Sequence, residues 1–126
     1  MAPMTAAPQA QAYRENTVLS ASPSQLVVML YDGARRYLRQ AAEAMREGEV
    51  ERAHTTLRRA ETIIAHLDGV LDDEQGGDLA QRLHAIYRFC LTHLNRARLG
   101  QDAEQVGQVS EMLGELRESW AQIAHG

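Results

Sequence analysis

From Leu26 onward, apolar residues return at intervals of three and four. Val27, Tyr31, Ala34, Leu38, Ala41 and Met45 are spaced 4, 3, 4, 3, 4, the period of a helix that buries one stripe. Three more such seams follow: Val50, Ala53, Leu57, Ala60, Ile64, Leu67, Leu71; then Ala80, Leu83, Tyr87, Cys90, Leu94, Ala97; then Val106, Val109, Leu113, Leu116, Trp120, Ile123. The ends of the segments are marked. Ser22 suits an N-cap, Pro23 the first helical position, and Gln25 the return bond of a capping box. That helix is expected to run to about Glu47, with Gly48 as the left-handed residue beyond it. The second runs from about Glu49 to Leu71, followed by an acidic loop, Asp72 to Gly77. Asp78 is the expected cap of a third helix, about Leu79 to Leu99, ended by Gly100. Asp102 caps the fourth, with Gln105 as its partner. Four seams joined by short loops predict an all-α fold, an antiparallel four-helix bundle over residues 23–126. Gly33 interrupts the first seam, which suggests that another backbone approaches there.

The chain before Ser22 reads differently. Residues 1–12 carry no charge and little bulk, the composition of a disordered tail. Residues 13–22 bring Tyr13, Val18 and Leu19, and are expected to form a flexible N-terminal cap segment. The helices also hold more apolar residues than a stripe requires. Leu26, Val28, Met29, Leu30 and Tyr37 supplement the first seam. Ile63 and Val70 lie beside the second, and Leu79 and Ile86 beside the third. A wide core stripe is one reading, and the better one for Leu26 and Leu30. The other is a groove that accepts apolar helices from a partner.

Composition narrows the chemistry. All thirteen basic residues are arginine and none is lysine. Schiff-base chemistry and lysine-dependent phosphate loops are thereby excluded. Cys90 is the single cysteine, so no intramolecular disulfide forms, and its seam position reads as a small buried hydrophobe. The net charge of −4 argues against nucleic acid. No apolar run is long enough for membrane insertion, and nothing at Met1 to Ala12 looks like a secretory signal, so the cytosol is the default setting. Glu51 and His54 form one Glu-x-x-His pair, whereas a di-metal bundle needs two and further inward carboxylates. A metal-dependent bundle enzyme using Glu51 and His54 is the alternative reading, against a solvated pair on an exposed face. The other histidines lack the lysine that accompanies a phosphotransfer histidine and read as ordinary helix residues. Trp120 suits one end of the core. No catalytic residues and no cofactor are expected.

The stretch from Tyr13 to Gly33 carries a more specific signal. Tyr13, Val18, Ala21-Ser22-Pro23, Leu26 and Met29-Leu30-Tyr31-Asp32-Gly33 resemble the FliS family, the flagellin export chaperones. Leu19 stands where the family commonly has threonine. Gly76-Gly77-Asp78-Leu79-Ala80 with Leu83 and Tyr87, and later Leu116 and Trp120, extend the likeness over about residues 13–121. The resemblance implies a helical bundle that binds the disordered C-terminal segment of flagellin in the cytosol. It would keep flagellin from polymerising early and help deliver it to the flagellar type III export apparatus. It further implies docking on the export-gate protein FlhA and, in some members, contact with regulators of flagellar assembly. By the same resemblance Tyr13 and Val18 belong to a displaceable cap and to the client site. Together with the periodicity, the expected partner-binding set is Tyr13, Val18, Leu19, Leu26, Met29, Ile63, Val70 and Ile86. A monomer or weak homodimer is expected when no client is bound.

Overall fold

Ser22 begins the ordered architecture through the predicted reciprocal cap. Its hydroxyl accepts from the Gln25 amide at 3.2 Å, and its own amide donates to Gln25 Oε1 at 2.8 Å. The computed structural model describes residues 22–125, so Tyr13, Val18 and Leu19, and with them the expected tail and cap, lie outside the described residues. Four helices follow: α1, Pro23–Arg46; α2, Val50–Gly69; α3, Asp73–Gly100; and α4, Ala103–His125. Among the described residues there is no strand. α1 packs on α2 and α4, and α3 closes the ring against the same two helices, which makes the all-α four-helix bundle that the seams predict.

The seams supply the core. Every predicted seam residue of α3 is buried, as are Tyr31, Ala34, Leu38, Ala41 and Met45 of α1, Ala53 to Leu67 of the α2 seam, and Val106, Val109 and Leu113 of α4. Leu71, Leu116 and Trp120 pack against this core from its edges. Val50 and Ile123, at the outer ends of their seams, are instead exposed. Tyr31 and Tyr87 are fully buried and share a hydrogen bond of 2.5 Å between their hydroxyls, across the bundle. Burial raises the pKa of both phenols, so both stay protonated. Cys90 is buried, 3.7 Å from the Met112 sulfur, and burial pushes its thiol pKa up to about 11, as suits a packing residue rather than a nucleophile.

The turns hold the main departures from the sequence pattern. α1 ends as expected: Gly48 has φ 75°, the Glu49 amide donates to the Ala44 carbonyl and the Gly48 amide to that of Met45, a Schellman closure. At the end of α3 the same pair of bonds forms, Asp102 to Ala97 and Gln101 to Arg98. Here the left-handed residue is Gln101, φ 50°, not Gly100. The Asp102 amide is thereby used, so Asp102 caps α4 through its carboxylate alone, accepting from the Gln105 amide at 3.2 Å. The third helix also starts earlier than predicted. Asp72, not Asp78, is its N-cap and accepts from the Glu74 and Gln75 amides, both at 3.1 Å. The expected acidic loop is thus a first helical turn, and Gly77 (φ 51°, ψ −126°) kinks the helix after it. Finally, what a side chain at Gly33 would meet is the Ile63 methyl group, 3.4 Å from the position of a Cβ, and not another backbone.

Candidate functional site

No charged residue stands between Glu15 and Asp32, so the first turns of α1 are apolar around most of their circumference. α2 covers one side of them, and α2 itself ends at Gly69. The apolar surface is therefore only partly covered. What remains is a groove of about 550 Å³ lined by Pro23, Leu26, Val27, Met29 and Leu30 of α1 and by His66 and Val70 from the end of α2. Among the described residues, His66 is its single titratable side chain. Met29 is 37% exposed and Val70 56%, high values for residues of this type in a core.

The walls are held from below and from both sides. Asp32 receives a two-pronged ion pair from Arg117 of α4, Nε to Oδ1 at 2.9 Å and Nη2 to Oδ2 at 3.3 Å, which fixes α1 against α4. Tyr31, on the adjacent face, is held by Tyr87. On the other side, His84 of α3 spans two carboxylates: Nδ1 lies 2.5 Å from Asp68 Oδ1, near the end of α2, and Nε2 lies 2.7 Å from Asp73 Oδ1, at the start of α3. The hydrogen bonds to Asp68 and then Asp73 raise the His84 pKa. The turn that carries Val70 is thereby tied to α3.

Of the residues expected to meet a partner, Leu26, Met29 and Val70 come together in this groove. Ile63 and Ile86 do not line it. Both are half-buried and pack against the core, Ile63 beneath Gly33. Leu30, read as core, both packs on the core and lines the groove. Pro23 and His66 were not anticipated as lining residues. Pro23 had a sufficient explanation as a helix start, and His66 is placed there only by the packing of α2 on α1. The His84 clamp was also missed, since its acids lie sixteen and eleven positions away with no periodic signal to connect them. Glu51 and His54 are both exposed on α2. Among the described residues, no group of three or more histidine, cysteine or acidic side chains gathers as a metal would require. Nor is any described helix long and apolar enough to cross a membrane.

An apolar groove at one end of a bundle, with His66 as its titratable side chain among the described residues, is suited to hold an apolar segment. Burying a large aliphatic side chain there yields about 1.5–3 kcal/mol before ordering costs. Comparisons with known proteins point the same way. The family model described as "Flagellar protein FliS" matches residues 5–126. The chain is 37% identical over 116 residues to the "Flagellar secretion chaperone FliS" of Salmonella typhimurium, covering 91% of this chain and 86% of that protein. It is 34% identical over 117 residues to the protein of the same description from Vibrio cholerae, covering 90% and 86%. With the one from Bacillus subtilis it shares 30% identity over 111 residues, covering 88% and 82%.

Proposed function

The chain belongs to the FliS family of flagellar secretion chaperones, and on that premise we propose that it binds the C-terminal segment of flagellin in the cytosol and holds it unpolymerised for export. The observation that carries the proposal is the groove at the start of α1, an apolar surface among the described residues beside a buried core. A disordered client loses conformational freedom when it binds, so its holder must offer apolar area enough to offset that loss. Leu26, Met29 and Val70 are the side chains of this groove assigned to client contact. Tyr13 and Val18 are added to the site on the family resemblance, and Leu19 as the large apolar residue beside Val18. Pro23 lines the groove, and in the sequence it directly follows the segment that holds these three residues. Ile63 and Ile86, half-buried against the core, lie outside the groove lining and are assigned to client contact by periodicity alone. Delivery of the client through FlhA, and contact with regulators of flagellar assembly, are part of the same proposal by family resemblance.

The test is a polymerisation assay. Purified cognate flagellin is induced to assemble, and filament growth is followed by light scattering with and without an equimolar amount of the chain. Inhibition is expected from the unaltered chain, and loss of inhibition from a Met29→Glu, Val70→Glu variant that retains its helical circular dichroism. Both residues are partly open to solvent, so the charges perturb the groove far more than the fold. Filament growth at the same rate with and without the chain would refute the proposal.

A further inference from the structure

α3 carries a second seam that the bundle does not use. Ala85, Phe89, Thr92, Arg96 and Leu99 follow one another at spacings of 4, 3, 4, 3, on the side of the helix opposite the buried line of Leu83, Tyr87, Cys90 and Leu94. Phe89 is 52% exposed and Leu99 81%. Small side chains at Ala85 and Thr92 leave a recess of about 310 Å³ beside Phe89, closed by Arg88, His93 and Arg96. The Phe89 ring is not loose: it stacks on His93 with centroids 5.2 Å apart and planes 18° from parallel.

The charge of this face is equally distinctive. No acidic residue occurs between Asp78 and Asp102, while four arginines do, in a chain whose net charge is −4. Arg98 is paired with Glu61 of α2. Arg82, Arg88 and Arg96 are exposed, and among the described residues they form no ion pair. Apolar residues and recesses alternating at heptad spacing are what a helix presents to a second helix. Arginines within and beside such a stripe, Arg82 and Arg96 on its line and Arg88 at its side, select an acidic partner and disfavour a basic one. We propose that the outer face of α3 is a docking surface for an acidic amphipathic helix of a partner protein. The site stands apart from the groove of α1 and α2, so it leaves the client position free and does not depend on the assignment of that groove.

The test uses the full chain and a three-heptad synthetic helix with leucine along one seam and glutamate on both flanks, followed by fluorescence anisotropy. Saturable binding is expected, weakened on the order of tenfold or more by Arg88→Glu with Arg96→Glu, weakened by Phe89→Ala, and weakened by salt. A peptide with lysine in place of glutamate is expected not to bind. The Arg88→Glu, Arg96→Glu variant is expected to bind the flagellin segment as the unaltered chain does, which separates failure of this surface from failure of the groove. Equal affinity for the two peptides, or for the two protein variants, would overturn the proposal. So would tighter binding of a mixed-sequence single-stranded RNA, which would assign the arginines to nucleic acid. Self-association of the chain abolished by the arginine substitutions, without peptide binding, would assign the face to a second copy and overturn it likewise.

Discussion

Each ring nitrogen of His84 faces a carboxylate oxygen, and a neutral imidazole has only one N–H to donate. The clamp is complete only with the imidazolium, which is why the two hydrogen bonds raise the pKa. The sign of its effect on stability follows. A raised folded-state pKa stabilises fully below the unfolded value, near 6.5, and the benefit fades as pH climbs through the higher folded value. Thermal unfolding of the chain and of His84→Gln is therefore expected to differ most at about pH 6 and to converge as pH rises through the raised folded-state value; a gap that widens with pH would contradict the clamp. Tyr31 and Tyr87 set a second test. Removing one hydroxyl strands the other in the core, at about 1–3 kcal/mol. Tyr31→Phe and Tyr87→Phe are each expected to lower stability in denaturant titrations, and the double substitution to cost clearly less than the two added together. Simple additivity would mean that the pair is not coupled.

At the scale of elements, the sequence revealed the helices well and their junctions less well. The seams of α1 to α4 were legible because a buried stripe on a helix must repeat at 3.6 residues, and Tyr87, Cys90 and Leu94 duly fall in the core. Ser22, Pro23 and Gln25 were legible because capping is local. The start of α3 was not. Asp72 and Asp78 are equally good caps by residue type; the structure caps the helix at Asp72, and Asp73 beside it is tied across the kink to His84. Gln101 took the left-handed position although Gly100 stood beside it, because the closing bonds to Ala97 and Arg98 fix which residue turns. The groove was half legible: its apolar excess showed in Leu26, Met29 and Val70, but which of the flanking residues face it depends on where α2 stops. Gly77 gives the test at this scale. Its φ of 51° with ψ of −126° belongs to glycine alone, so Gly77→Ala is expected to cost about 1–3 kcal/mol and to loosen the turn from Asp73 to Gly76, seen as faster amide exchange there. Unchanged stability would mean that the kink is not fixed by the fold.

The whole molecule separates a rigid interior from surfaces that are not self-sufficient. The bundle core draws on all four helices, from Tyr31 to Met45 in α1, Ala53 to Leu67 in α2, Leu83 to Ala97 in α3 and Val106 to Leu113 in α4. Against that core, among the described residues, the groove of α1 and α2 is apolar, and Phe89 and Leu99 on the outer stripe of α3 are exposed. A holding protein needs this division: a surface that accepts a flexible chain must itself be preorganised, or both sides would have to be ordered on binding. The most direct measurement is a calorimetric titration of the full chain with the C-terminal segment of its cognate flagellin. Saturable one-to-one binding is predicted, with a negative heat-capacity change from buried apolar surface, and marked weakening by Met29→Glu with Val70→Glu. A flat titration at tens of micromolar, where binding would amount to no more than about −6 to −7 kcal/mol, would contradict it.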